Sequence, residues 1–202
     1  MTRIVDCYLP LMSPWAYLGH DRFVAIADRG RAVIRWHPVD FPKIFAASGG
    51  VPLKQRPVQR QTYRMYELKR WRDRLGVPLE LEPRFFPVDD TRAAHLVLQA
   101  MAEGVDPAGL IGGVLGAVWA EGRDITDAET LADLLRREGL DAELLDRADA
   151  ATADLAAKRA AMTDNAIAAG VFGAPTYIFD GEPFWGQDRL DFLAERLGVT
   201  LD

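Results

Sequence analysis

With 202 residues, 49% of them hydrophobic and 27% charged, the chain has an ordinary globular composition, with room for one compact domain or one domain carrying a large insertion. A formal charge of −6 argues against a general nucleic-acid binder, although Lys54, Arg56 and Arg60 lie close enough in sequence to build a local basic pocket. Cys7 is the single cysteine, which excludes an intrachain disulfide and a Cys-x-x-Cys redox pair, and the scattered His20, His37 and His95 show no metal-ligand spacing.

The run Ile4-Val5-Asp6-Cys7-Tyr8-Leu9 reads as a first strand. The apolar stretch that follows Arg3 has a faint signal-peptide look, but Asp6, Pro10 and Pro14 interrupt it and no small-x-small cleavage site follows. The other long apolar stretch, residues 110–120, has about half the length that a membrane span needs. These features read as a cytoplasmic, soluble protein with no membrane or nucleic-acid partner. Ser13 is a strong N-cap residue and Pro14 suits the first helical position, so a helix is expected to about Ala27, with Trp15, Leu18, Phe23 and Ile26 on its buried side. That places one hydroxyl at the positive end of a helix, beside N–H groups with no intrahelical partner. On residues alone, Ser13 is a cap.

Asp28-Arg29-Gly30-Arg31 supplies a helix stop, and residues 32–38 read as a second strand, completing a βαβ unit. Residues 40–57 are loop-like, with room for a short helix around residues 44–47. From Val58 the pattern stays helical for about a hundred residues. Tyr63, Tyr66, Trp71 and Leu75 mark the first of these helices, ended by Gly76 and Pro78. Ala94, Val97, Leu98 and Met101 mark the second, with Asp90 or Thr91 as its cap. The third follows Pro107 and carries Leu110, Ile111, Val114, Leu115, Val118 and Trp119, while Gly112, Gly113 and Gly116 leave space for another helix to approach. Leu131, Leu134 and Leu135 mark a fourth, opened by Thr126 or Asp127, and residues 150–169 read as one long helix stopped by Gly170. The block shows no repeat period. Residues 176–179 and 183–185 then read as a hairpin around Asp180-Gly181, and residues 187–197 as a terminal helix. The order is β-α-β, an all-helical block, then β-β-α.

Three motifs in that order carry a resemblance. Ser13-Pro14-Trp15-Ala16-Tyr17-Leu18 stands where disulfide oxidoreductases of the DsbA superfamily carry Cys-Pro-x-Cys. Gly173-Ala174-Pro175-Thr176 is similar to the loop that holds that superfamily's cis-proline. Trp185-Gly186-Gln187-Asp188-Arg189-Leu190 resembles a Trp/Phe-Gly-x-Asp-Arg-Leu segment. Together they resemble the 2-hydroxychromene-2-carboxylate isomerases and the closely similar kappa-class glutathione transferases, over nearly the whole chain. The resemblance implies a thioredoxin-like α/β fold built from residues 1–40 and 170–202, with a helical insertion at residues 41–169. It also implies glutathione as cofactor, a small aromatic carboxylate as substrate, and a homodimer.

Serine and alanine at the two cysteine positions remove dithiol exchange. What remains is a hydroxyl donor at a helix N-terminus, a setting that stabilises a thiolate. By resemblance Ser13 activates the sulfur of bound glutathione. Ala174 and Pro175 offer backbone for an extended peptide, and Gly186, Gln187 and Asp188 hold its γ-glutamyl end. Read from residues alone, Gln187 and Asp188 are equally good N-caps of the last helix. Relatives commonly carry a lysine at Ala46 and an asparagine at Gly50, and an acidic residue where this chain has Pro10. Lys43 or Lys54 then stands as the candidate cation for a substrate carboxylate, or as a plain surface lysine. No triad partner for Ser13 is evident. Three activities fit: a glutathione-dependent isomerase in aromatic-ring degradation, a kappa-like transferase or peroxidase, and a non-catalytic thioredoxin-like binding module.

Overall fold

Strand β1 (Arg3–Leu9) runs inside a four-stranded sheet in the computed structural model, which describes residues 2–200. Its neighbours are β2 (Ala32–Pro38) on one side and β3 (Thr176–Phe179) on the other, with β4 (Glu182–Trp185) beyond β3. β1 and β2 pair in parallel from Arg3 against Ala32 to Leu9 against Pro38, joined across the sheet face by α1 (Pro14–Arg29). β3 runs antiparallel to β1, with Val5 opposite Phe179 and Tyr8 opposite Thr176. β4 then returns antiparallel to β3, with Thr176 opposite Trp185. Asp180 and Gly181 both take positive φ, 51° and 80°, as a two-residue turn matched to strand twist requires.

Between the halves of the sheet lie α2 (Phe41–Ser48), a 3-10 turn at Leu53–Gln55, α3 (Val58–Leu75), α4 (Thr91–Ala102) and α5 (Ala108–Trp119). They are followed by α6 (Ala128–Arg137), α7 (Leu144–Ala150) and α8 (Thr152–Ala168). The chain closes through a 3-10 turn at Gln187–Arg189 into α9 (Leu190–Arg196). The fold is thioredoxin-like with a helical insertion, as the order of elements predicts. One apolar cluster joins Val5, Trp36 and Tyr177 of the sheet to Phe23 of α1 and to Leu96, Ile111 and Trp119 of the inserted helices. The glycines of α5 serve the contact with α1. A Cβ at Gly112 would stand 2.9 Å from Nε2 of His20, and one at Gly116 would stand 3.9 Å from the Tyr17 ring.

Several local expectations are corrected. The long helix expected at residues 150–169 is α8, but a separate short helix, α7, precedes it across Ala151, at φ −95° and ψ 15°. The glycine stop of α1 stands, with Gly30 as its C-cap in a right-handed conformation and Arg31 in the left-handed one at φ 50°. Trp15 is only half-buried, and Tyr63 and Tyr66 are 58% and 57% exposed. α3 fully buries Leu68 alone, because much of it borders a cleft rather than the core. Asp90 holds the N-cap position of α4, as expected, but its side chain makes no capping bond, and the Thr91 N–H donates to Asp89 Oδ1 at 2.9 Å.

Asp90 has a different task. Its carboxylate accepts from the Leu11 N–H at 2.8 Å and from the Arg159 guanidinium at 2.5 Å, all within the interior. Arg159 also donates to the carbonyls of Pro38 and Val39, at 3.2 and 3.3 Å, and to Thr91 Oγ1 at 3.2 Å. One ion pair therefore fastens the end of β1, the end of β2, α4 and α8 together. Removing one partner of a buried, hydrogen-bonded ion pair leaves the other charge uncompensated. Arg159→Met is expected to lower unfolding free energy by about 3–5 kcal/mol, read as a lower urea midpoint at unchanged slope. A loss below about 1 kcal/mol, the range of an exposed pair, would show that the pair is not a structural fastening.

Candidate functional site

Sheet register brings the three motifs to one place. β1 ends at Leu9, and the chain enters α1 at Pro14, after four intervening residues. β3 starts opposite that end of β1, at Thr176, directly after the Ala174–Pro175 bond, which is cis. β4 ends opposite the start of β3, at Trp185, directly before Gly186. The Gly186 N–H donates to the Pro175 carbonyl at 2.8 Å, tying the second motif to the third. Thr176 Oγ1 donates to the Gly173 carbonyl at 2.7 Å and stiffens the loop between them. Among the described residues, no backbone hydrogen bond engages Ala174.

Ser13 caps α1 with φ −82° and ψ 126°, and its Oγ accepts from the Ala16 N–H at 3.2 Å. The serine is only 7% exposed. Its Ser13 N–H donates to the Pro10 carbonyl at 3.2 Å, and the preceding loop is held by Asp90 on Leu11 and by the Trp119 indole N–H on the Met12 carbonyl at 3.1 Å. An accepted bond fixes the oxygen but leaves the hydroxyl proton to give, and no acceptor for it stands among the described residues. Pro14 has no N–H, and the Tyr17 N–H donates to the Ser13 carbonyl at 3.0 Å. The Trp15 N–H is thus a first-turn donor without a hydrogen bond among the described residues. This end of α1 presents positive potential and unused donors.

Beside it lies a pocket of about 540 Å³. Trp15 of α1 and Ala174 line one part of it, and Trp185, Gly186, Gln187 and Asp188 another. α3 and the turn before it supply the facing wall with Arg56, Arg60, Tyr63, Arg64 and Trp71. Ser13 itself is not part of the lining. Among the described residues no carboxylate pairs with Arg56, Arg60 or Arg64, and the nearby Glu67 is engaged by Arg70 at 2.5 Å. Burial, together with the charge of Arg56, lowers the Arg64 guanidinium to about 10, so it is still a cation at neutral pH. Arg56 is lowered too, by burial and then by Arg60. The wall is built to face an anion.

Of the residues expected at the site, Ala174, Gly186, Gln187 and Asp188 share this pocket, with Pro175 alongside through its bond to Gly186. Neither Gln187 nor Asp188 makes a side-chain cap for the last helical stretch, which corrects the capping alternative. Gln187 is 2% exposed and its side-chain oxygen accepts from Arg22 at 3.1 Å. It packs on α1 where a Cβ at Gly19 would come within 2.7 Å of its own. The Asp188 carboxylate stays exposed, with Arg189 at 3.3 Å. Lys43 and Lys54 are exposed and stand outside the pocket lining, which takes its cations from arginines instead. Arg64, Tyr63 and Trp71 were not legible as site residues. The available signal was a helix with many arginines interleaved with aromatic residues and too few aliphatics to fill a core stripe.

Comparison with known proteins identifies the family and the fold. A family model described as a DSBA-like thioredoxin domain matches residues 4–198. A 2-hydroxychromene-2-carboxylate isomerase of Sphingobium xenophagum is 34% identical over 199 residues, covering 98% of this chain and 99% of the relative. A protein of the same name from Pseudomonas putida is 29% identical, covering 96% and 94%. The solved structure of a 2-hydroxychromene-2-carboxylate isomerase superposes with a TM-score of 0.80 at 28% identity, covering 96% of this chain and 94% of that one. Cytosolic disulfide reductase DsbM from Pseudomonas aeruginosa, solved with GSH, shares the fold at a TM-score of 0.68 and 19% identity, over 97% and 100% of the two chains.

Gly186 is the residue of the third motif that the backbone dictates. Its φ of 102° and ψ of 148° fall where side chains are rarely tolerated, and a Cβ there would collide with Oδ1 of Asp188. Gly186→Ala is expected to cost about 1–3 kcal/mol, measured by urea unfolding. Unchanged stability would mean that the turn relaxes without strain.

Proposed function

We propose that this chain, which belongs to the DSBA-like thioredoxin domain family and is a 2-hydroxychromene-2-carboxylate isomerase by descent, is a glutathione-dependent cis-trans isomerase. Its substrate is 2-hydroxychromene-2-carboxylate or a related intermediate of aromatic degradation. The observation that carries the glutathione reading is the Ser13 hydroxyl, whose oxygen is fixed by the Ala16 N–H and whose proton has no acceptor among the described residues.

The residues present fit the chemistry of glutathione, an extended peptide with a thiol, one ammonium and two carboxylates. Ala174 offers backbone groups with no hydrogen-bond partner among the described residues, as strand-like pairing with a peptide requires. The exposed Asp188 carboxylate suits the ammonium, and Gly186 and the main chain at Gln187 suit the γ-glutamyl carboxylate. Bound glutathione supplies a thiol whose anion adds reversibly to a conjugated carbon, so that a double bond becomes single, rotates and is restored. Ser13 donates its hydroxyl proton in a hydrogen bond to that sulfur, and the N-terminus of α1 adds positive potential. Both lower a thiol pKa from its ordinary value of about 8.5. The side chain of Gln187 stays out of this chemistry, since it is committed to Arg22.

Ser13→Ala removes the donor and the cap together. The expected results are a fall in kcat/KM of about 10²–10³-fold, as for loss of one preorganised donor to a developing anion, and a stability loss of about 1 kcal/mol. Titration of bound glutathione by its ultraviolet thiolate absorbance should show a lowered pKa in the parent protein and an ordinary one in the variant. Equal activity in the variant would remove Ser13 from the chemistry, and failure to bind glutathione would leave only the binding-module reading. Many turnovers per glutathione are expected of the isomerase, whereas stoichiometric loss of thiol would identify a kappa-like transferase.

A further inference from the structure

Arg64 is held in a way that its own protein does not explain. Most arginines of the chain meet a carboxylate, as Arg22 does with Asp191, Arg92 with Asp149 and Arg147 with Glu103. Arg64 does not. It reaches the pocket from α3 half-buried, with its guanidinium 5.3 Å from the centre of the Phe86 ring and 5.8 Å from that of Trp119. Its single polar contact among the described residues is the weakly accepting Met65 thioether at 3.8 Å. Aromatic faces hold a cation in place, but they return only part of the free energy lost on removing it from water. Burial and the neighbouring Arg56 act against its charge, which nevertheless persists at neutral pH. A planar, half-buried guanidinium with its back on two aromatic rings and no carboxylate partner among the described residues has the geometry to fork a carboxylate.

The rest of the pocket narrows the occupant. Trp15, Tyr63 and Trp71 line it, aromatic surfaces that suit a flat ring bearing the carboxylate. Glu67, the one carboxylate that α3 contributes to the lining, is drawn off by Arg70. Asp188 lies in the segment of the third motif and is met by Arg189. We infer that Arg64 is the residue that binds the carboxylate of the aromatic substrate, with Phe86 and Trp119 as the platform that positions its guanidinium. The inference rests on the isomerase reading above, but the contact it names is a binding contact and can be measured without turnover.

The probe is chromone-2-carboxylate, an unreactive aromatic carboxylate, with chromone-2-carboxamide as its uncharged counterpart, both followed by tryptophan fluorescence. Arg64→Gln should weaken the carboxylate by about 10- to 100-fold, as loss of a charged hydrogen-bonding partner does. Carboxamide and glutathione affinities should change by less than about twofold, below the worth of a neutral hydrogen bond. Arg64→Lys, which keeps the charge but not the fork, should lie between the parent and Arg64→Gln. For the reaction, the loss in Arg64→Gln should fall mainly on KM. Unchanged carboxylate binding in Arg64→Gln would overturn the inference. So would an equal loss of carboxamide, which marks a structural role, or a loss confined to glutathione, which assigns the arginine to a glutathione carboxylate. If the parent binds chromone-2-carboxylate through Arg64 but catalyses no isomerisation, the isomerase reading fails and the contact stands.

Discussion

The antiparallel register of β3, set between β1 and β4, is the constraint on which the site depends. It places Tyr8 and Trp185 on either side of Thr176. Three segments more than 160 residues apart at their extremes, around Ser13, Pro175 and Gly186, then have to meet at one end of the sheet. Backbone hydrogen bonding does this before any functional side chain is considered. A slip of one residue would turn every β3 side chain to the opposite face, exposing Tyr177 and Phe179, which are now buried in the core. The hydrophobic pattern of a four-residue strand therefore guards the geometry of the site.

The insertion completes what the sheet begins. Asp90 and Arg159 fasten the loop ahead of Ser13 to the end of β2, while the Trp119 indole holds the Met12 carbonyl. The hydroxyl is thus fixed from the side of the inserted helices as well as from its own helix. Trp119 has a second contact, since its ring and that of Phe86 lie against the Arg64 guanidinium. One buried indole touches both the loop that presents the serine and the cation on the facing wall. The same apolar core that stabilises the fold therefore sets the spacing between the thioredoxin-like layer and α3.

Much of this was legible in the chain, for identifiable reasons. Strands and caps announce themselves locally: β-branched and aromatic runs gave β1, β2 and β3, Asp180-Gly181 gave the hairpin turn, and Ser13-Pro14 gave the start of α1. Glycines at three- and four-residue spacing in α5 correctly pointed to a close helix neighbour. The failures share a cause. Tyr63 and Trp71 follow an amphipathic period, and that period cannot tell a core from a cleft wall. Asp90 sits where a cap should be, yet its partners Leu11 and Arg159 are 79 and 69 residues away. Lys43 and Lys54 were singled out beside the positions where relatives carry a lysine and an asparagine, whereas Arg64 was one basic residue among several on a polar helix. Only the fold shows which of them faces Phe86 and Trp119 without a carboxylate.

The fate of the single cysteine links fold and chemistry. Cys7 lies in the middle of β1, opposite Trp36 on one side and Tyr177 on the other, and it is buried. Burial, and then the charge of Asp6, push its thiol well above the ordinary range. A thiol kept protonated inside a sheet is neither nucleophile nor redox partner. The sulfur chemistry proposed for this scaffold must therefore come from a bound thiol, and the protein contributes the potential that ionises it. Anion-stabilising groups flank the pocket on two sides, the N-terminus of α1 on one and the unpaired arginines of α3 on the other. A sulfur anion and a carboxylate can then be held on separate supports, so that the carboxylate is drawn to the arginines and does not compete for the Ser13 hydroxyl.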